Sequence, residues 1–148
     1  MIRTLQFFAV LFTAVTMAAG WAHLLELPNK MALSHADYLT VQQIYRGWAL
    51  LGFIVVGALV VTAALALLQR GQGIAFYFAF VAAVCIALGL TVFFLVTFPA
   101  NTATQNWSVL PPQWETLRRQ WEYSHATGAV LYFIALASVT LSIIFSRR

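Results

Sequence analysis

The sequence predicts an all-α integral membrane protein, an up-down four-helix bundle in which helices two and four extend beyond the membrane. Three observations predict this fold class. Hydrophobic residues make up 62% of the 148 residues, whereas soluble domains contain roughly 45–50%. Charged residues make up only 8%, too few to solvate the surface of a 16.4 kDa soluble globule. These few charges also separate four long apolar segments, so lipid is the solvent that the composition favours.

Each apolar segment is long enough to cross a membrane as a helix. The segments without Asp, Glu, Lys or Arg are 4–25, 47–69, 73–98 and 123–146. Each exceeds the roughly 20 residues that span a hydrocarbon core of ~30 Å. They are continuously apolar, whereas the strands of a membrane barrel alternate. We place the spans at about 5–25, 47–69, 73–98 and 122–145 of a single domain, residues 1–148.

The lengths of the connections between spans predict the topology of the bundle. The orientation of the bundle in the membrane has to be predicted from the positions of Lys and Arg. The connection between spans two and three is so short that these helices form an antiparallel hairpin, which places both termini on one side of the bundle. Lys and Arg are equally numerous on the two sides, so the positive-inside rule does not decide. Because the arginines of the terminal side stand directly at span ends, we predict that both termini are cytoplasmic. A cleavable signal peptide ending near Gly20 is the alternative, but the apolar stretch continues to Leu25.

Prolines and one capping signal predict the ends of the helices. Pro28 is expected to end helix one and Pro99 to end helix three, because proline removes a helical hydrogen bond. Ser34, with Asp37 three residues later, predicts an N-cap from which one helix continues into span two. Helix four is expected to begin near Gln113, after two consecutive prolines.

Charge and cysteine content exclude several classes of function. The net charge of +4 is not concentrated in a basic stripe, so nucleic-acid binding is not expected. Cys85 is the single cysteine, which excludes an internal disulfide and a cysteine-based zinc site. The partners that remain are membrane lipid and a small apolar molecule, and the sequence leaves the oligomeric state open.

Two His/Glu pairs are the strongest candidates for a functional site. His23 and Glu26 lie near the end of span one, and Glu122 and His125 lie at the start of span four. A spacing of three places each pair on one helix face, and the opposite directions of the helices place both pairs at a similar depth. Two imidazoles and two carboxylates could hold a single metal ion of the iron or copper type.

Other interpretations of the same residues remain open. The carboxylates could pair with Lys30, Arg118 or Arg119, while the histidines hydrogen-bond within the bundle. A haem held by His23 and His125 ranks below a single metal ion. The site could also work without a cofactor.

A stripe of aromatic and basic residues enters span four from outside the membrane. Trp114, Arg118, Trp121 and His125 follow spacings of four, three and four, which place them on one helix face. Such a stripe could bind a flat or anionic ligand by stacking and through the guanidinium. An interfacial aromatic belt is the alternative, because all five tryptophans gather on this side. Asn101, after span three, could reach the same site.

The order of these residues resembles the small integral membrane family of anthrone-oxygenase-like proteins. The resemblance rests on Ala22-His23-x-x-Glu26-x-Pro28, Phe98-Pro99-Ala100-Asn101 and Trp114-x-x-x-Arg118-Arg119-x-Trp121-Glu122-x-x-His125. Most bacterial members of that family are catalogued as a domain of unknown function. The resemblance implies a four-span protein of the bacterial inner membrane. For a few members it implies the oxidation of a polycyclic anthrone to a quinone by molecular oxygen, without an added cofactor.

That chemistry suggests a role for each candidate residue. His125 or His23 would be the catalytic base, and Asn101 or Arg118 would stabilise the oxyanion. The predicted substrate-binding residues are Trp114, Trp121 and Trp107. We expect the six polar residues of this group to line one cavity on the non-cytoplasmic side: His23, Glu26, Asn101, Arg118, Glu122 and His125. The alternative is a non-enzymatic membrane protein that binds a lipid, quinone, haem or metal, or an accessory subunit.

Overall fold

Four helices of the protein are long and apolar enough to cross a membrane. The computed structural model describes residues 2–146, and the candidate spans are Ile2–Met31, Trp48–Leu68, Ile74–Ala103 and Trp114–Ile144. Only 22–33% of the most apolar stretch of each span is buried inside the protein, so most of the outward surface is apolar and suited to lipid contact. This confirms the predicted all-α four-helix fold, and it is compatible with a multi-pass membrane protein.

The four long helices form a bundle in which each helix packs against two others, and short helices lie at one end of it. The helices in chain order are α1 (Ile2–Met31), α2 (His35–Gln42), α3 (Leu51–Leu68), α4 (Ile74–Val92), α5 (Phe98–Ala103) and α6 (Trp114–Ile144). Helix α6 packs against α1 and α4, and α3 packs against the same two helices from the other side. The first and last long helices are therefore neighbours, as an up-down bundle requires.

Hydrogen bonds between side chains mark the end of the bundle that carries the termini. Gln6 Nε2 donates to Ser146 Oγ at 3.1 Å, which joins the first turns of α1 to the end of α6. Ser142 Oγ donates to Gln69 Oε1 at 2.6 Å, which brings the α3–α4 turn to the same end. The connections after α1 and α5 consequently lie at the opposite end.

Two prolines that were expected to end helices do not end them. Helix α1 continues through Pro28 to Met31, because its last turn is anchored by the buried side chain of Lys30. Near Pro99 the chain widens into a π-helical turn, Phe93–Thr97, and then continues as α5. The wider turn lies where the proline ring and its missing N–H would otherwise disturb the preceding turn of an α-helix.

The connection between α1 and α3 also differs from the prediction at one residue. Ser34 caps α2 as expected, since its Oγ accepts from the Asp37 N–H at 3.3 Å. The expected continuous helix into span two is wrong, because Gly47 has a φ of +86°, a left-handed conformation that interrupts a helix. Residues 43–50, here called the strap, form two 3₁₀ turns on either side of this glycine. Helix α6 begins at Trp114, directly after Gln113, as predicted.

Candidate functional site

Two histidines from the first and last helices meet at the end of the bundle opposite the termini. His23 of α1 and His125 of α6 stack with ring centroids 4.2 Å apart and planes inclined by 25°. His23 is buried, whereas His125 is half-buried. The opposite directions of α1 and α6 thus bring the two imidazoles to one depth.

Aromatic side chains surround this histidine pair. The ring of His23 lies 4.6 Å from Tyr45, 5.5 Å from Trp48 and 5.0 Å from Trp121, and Trp121 lies 4.2 Å from His125. We call these five residues the aromatic box. His23 Nδ1 is buried and has no hydrogen-bond partner. The box therefore holds an unbonded imidazole nitrogen among aromatic rings.

A buried lysine connects the two predicted carboxylates. Lys30 Nζ lies 3.0 Å from Glu122 Oε2 and 3.4 Å from Glu26 Oε2, and it donates to the Tyr45 hydroxyl at 3.0 Å. Lys30 is 3% exposed and Glu122 is fully buried. A buried ion requires such partners, because its removal from water costs several kcal/mol. Pairing with Lys30 was one of the open alternatives, and the structure contains it.

Two tyrosines complete the network, and both donate to carboxylates. Tyr38 Oη donates to Glu122 Oε1 at 2.9 Å, and Tyr45 Oη donates to Glu26 Oε2. Burial and the adjacent Glu122 raise the pKa of Tyr38 above its ordinary value. Burial and the hydrogen bond to Glu26 do the same for the pKa of Tyr45. Both phenols are therefore protonated at neutral pH and serve as hydrogen-bond donors.

Asn101 holds two of the predicted substrate-binding tryptophans. Its Oδ1 accepts from Trp121 Nε1 at 2.8 Å and from Trp107 Nε1 at 3.2 Å. Both indoles are buried, and the Trp107 carbonyl accepts from Gln43 Nε2 at 2.9 Å. Asn101 is thereby a positioning residue for the indoles, and its side-chain carbonyl is already occupied.

Arg118 binds the end of α1. Its Nη1 donates to the Leu33 carbonyl at 2.9 Å and lies 3.5 Å from the Lys30 carbonyl. The guanidinium lies over the rings of Trp114 at 4.6 Å and Tyr38 at 5.4 Å. A cation is favourable beside the carbonyls at a helix C-terminus. In this arrangement Arg118 joins α1 to α6, and Trp114 packs on it.

The four residues predicted as metal ligands are divided into two groups. Glu26 and Glu122 hold Lys30, whereas His23 and His125 stack on each other. Within residues 2–146, no group of three or more His, Cys, Asp or Glu could hold a metal ion. The metal site stays a prediction. A haem does not fit this arrangement, because His23 and His125, the residues that would hold it, stack at 4.2 Å and leave no space for it between them.

The six residues expected to line one cavity lie in one connected region, and a cavity among them stays a prediction. Trp121 contacts both histidines and the Asn101 side chain, and its ring lies 4.9 Å from Lys30 Nζ. Lys30 in turn connects the region to Glu26, Glu122 and Arg118. Two surface hollows, of about 490 and 300 Å³, are lined by other residues, such as Arg119 and Arg46. The outer wall of the box is Trp48, which is 36% exposed.

Sequence reasoning offered Lys30 only as an alternative partner of the carboxylates, and it missed Tyr38, Gln42 and Tyr45, which complete the network. Lys30 is the single lysine of the chain and follows Glu26 by four residues, a spacing that predicts an ion pair on a helix. Tyr38 and Gln42 have the same spacing in α2, and Gln42 Nε2 donates to the Tyr38 hydroxyl. These signals were present, but they do not indicate that α2 folds back over the bundle.

Together the fold and this site define a class, a helical bundle with four helices able to span a membrane and a buried ion network beside an aromatic box. No family model, no curated protein and no solved structure matches the chain.

Proposed function

We propose that this chain is an integral protein of a bacterial inner membrane that oxidises an apolar aromatic or quinone-like molecule at the aromatic box. Both termini are cytoplasmic in this proposal, and the box faces the other side. The observation that carries it is the stacked pair of His23 and His125, which has an unbonded buried nitrogen and aromatic walls. Aromatic walls favour a flat apolar substrate.

The chemistry begins with proton removal. One imidazole of the pair takes a proton from the activated CH₂ carbon of an anthrone-type substrate. The resulting carbanion is oxidised by molecular oxygen. In the net reaction the CH₂ group and one O₂ give a carbonyl group and one water. The resemblance to the anthrone-oxygenase-like family supports this reaction class.

The other residues have supporting roles in the proposal. Trp121 forms one wall of the substrate site, and Asn101 fixes it together with Trp107. Arg118 acts through the end of α1 and is a positioning residue. The ammonium of Lys30, 4.9 Å from the Trp121 ring, is the cation nearest to this wall and favours a developing oxyanion.

The test is oxygen uptake by the purified protein in lipid nanodiscs with anthrone as substrate. We expect the H125Q and H23Q variants to lose about 100-fold in rate, the usual contribution of a general base. The matched control is H35Q, because His35 is an exposed histidine on α2. No anthrone-dependent oxygen uptake by the wild type, or full activity in both variants, would contradict the proposal.

A second candidate is a non-enzymatic membrane protein that binds a lipid, quinone or metal, or an accessory subunit. The observation that favours it is that Lys30, Glu26 and Glu122 satisfy one another inside a packed group. An absorption spectrum and metal analysis of the same preparation test it. Stoichiometric iron or copper indicates a metal site, whereas a Soret band would contradict the exclusion of haem.

A further inference from the structure

Six tryptophan and tyrosine rings form a continuous path through the site. Successive ring centroids are 5.1 Å apart for Trp48–Tyr45, 5.5 Å for Tyr45–Trp121, 6.0 Å for Trp121–Trp107, 5.1 Å for Trp107–Tyr38 and 6.0 Å for Tyr38–Trp114. The path begins at an exposed residue, Trp48, and ends at a half-buried one, Trp114. Indole and phenol are the aromatic side chains most easily oxidised by one electron, so this path suits electron transfer.

Both tyrosines of the path have a proton acceptor in place. Tyr45 donates to Glu26 Oε2, and Tyr38 donates to Glu122 Oε1 at 2.9 Å. The radical cation of a phenol is a strong acid, so a phenol loses an electron readily only when its proton can leave at the same time. Because the pKa of each phenol is raised, each holds its proton until the electron leaves.

Exposed tyrosines elsewhere in the chain lack this arrangement. Tyr77 and Tyr123 are 64% and 56% exposed, and among the hydrogen bonds within residues 2–146 neither donates to a carboxylate. Among the five tyrosines, Tyr132 included, donation to a carboxylate within residues 2–146 therefore occurs at the two on the path. This contrast also supplies internal controls.

We propose that the path is a one-electron relay that reduces an organic peroxyl radical, with Tyr45 and Tyr38 as its proton-coupled sites. Tyr45 gives one electron to the peroxyl radical, and its phenolic proton moves to Glu26. The peroxide anion takes a proton from water and becomes a hydroperoxide, leaving hydroxide. A neutral tyrosyl radical remains.

The radical then moves along the path to Tyr38. An electron passes from Tyr38 through Trp107 and Trp121 to Tyr45, which recovers its proton from Glu26. The proton of Tyr38 moves to Glu122. The oxidising equivalent is thereby drawn away from the histidine pair. The peroxyl radical has two possible sources, oxygen with the proposed substrate or the bilayer lipid, and only the first rests on the proposed function.

The experiment supplies peroxyl radicals to the wild-type protein in nanodiscs. One arm uses a lipid-soluble azo initiator, a second uses a water-soluble one, and a third uses anthrone and oxygen alone. A nitroso spin trap followed by peptide mass spectrometry locates the radicals. We expect adducts on Tyr45 and Tyr38 to exceed those on Tyr77 and Tyr123 in the lipid-soluble arm.

Comparison of the arms separates the two proposals. Adducts with the initiators but not with anthrone support the relay with radicals that do not come from the proposed substrate. Oxygen uptake in the anthrone arm then tests the proposed oxidation separately. Adducts in the anthrone arm identify the substrate as a source. If the amount of adduct on each tyrosine instead increases with its exposed fraction, so that Tyr77 and Tyr123 dominate in every arm, the relay would be overturned.

Variants test the direction and the proton coupling. E26Q keeps a hydrogen-bond acceptor but cannot take the proton, so we expect about tenfold fewer adducts on Tyr45. E115Q makes the same charge change at an exposed position and should have no effect. W107F interrupts the path, so Tyr38 should lose its adducts while Tyr45 keeps them. Unchanged adducts in both E26Q and W107F would also overturn the relay.

Discussion

At the scale of single residues, Lys30 determines whether the site can exist inside the bundle. It is the one ammonium group placed between Glu26 and Glu122, and it is almost completely buried. Glu122 has no other cation within ion-pair distance in residues 2–146. Among the described residues Lys30 is therefore the counter-ion of Glu122, and the Tyr38 hydroxyl adds a hydrogen bond to the same carboxylate.

The K30M variant should lose about 3–5 kcal/mol of unfolding free energy, because it leaves an uncompensated buried carboxylate. Thermal unfolding in detergent micelles measures the loss. The double variant K30M/E122Q should recover most of the stability, since the unpaired charge is gone. A double variant no more stable than K30M would show that the cost arises from lost packing.

Alkaline pH should destabilise the protein through Tyr38 and Tyr45. Their pKa values are raised in the folded state, so their contribution to stability is complete below the unfolded-state pKa of about 10 and is lost as the pH rises above it. The Y38F/Y45F variant should therefore lose less stability than the wild type between about pH 9 and 12. Thermal unfolding across this pH range tests the prediction, and parallel losses in the two proteins would contradict it.

At the scale of helices, one close contact sets the distance between the histidines. A Cβ atom on Gly20 would lie 3.1 Å from the Cα of Ala129. Gly20 is one turn from His23 in α1, and Ala129 is one turn from His125 in α6. The absence of a side chain at Gly20 is what allows the two backbones, and with them the two imidazoles, to approach.

The G20A variant should lose about 1–3 kcal/mol of unfolding free energy, because the backbone of α6 must move to accept the methyl group. It should also reduce any activity that requires the histidine pair. The control is G52A in α3, where an added Cβ meets nothing within 4 Å, so it should be neutral or slightly stabilising. Equal effects of the two variants would mean that the Gly20 contact is not decisive.

The ends of the helices could be predicted only where the cause is local. The Ser34 cap and the start of α6 depend on neighbouring residues, and both predictions are confirmed. The effects of Pro28 and Pro99 depend on tertiary contacts, because a long packed helix can absorb the loss of one hydrogen bond. The break at Gly47 could not be predicted either. The sequence pattern across the strap is helical and gives no reason to expect a left-handed residue there.

At the scale of the whole molecule, the sequence predicts the bundle far better than it predicts the site. Apolar segments and charge positions determine four helices and their order, and matched His/Glu spacings place His23 and His125 at one depth. The network around Lys30 could not be predicted in the same way. It requires the fold of α2 and the strap, which brings Tyr38 and Tyr45 over the ends of α1 and α6.

Orientation in the membrane is the last property of the whole molecule that needs a direct test. Because both chain ends lie opposite the aromatic box, labelling one residue at each end of the bundle decides the question. Thr4 and Ser108 are both exposed, and replacement of Cys85 by Ala removes the native thiol. In intact cells, a membrane-impermeant maleimide should label S108C and not T4C. Labelling of T4C alone would reverse the proposed orientation and place the aromatic box on the cytoplasmic side.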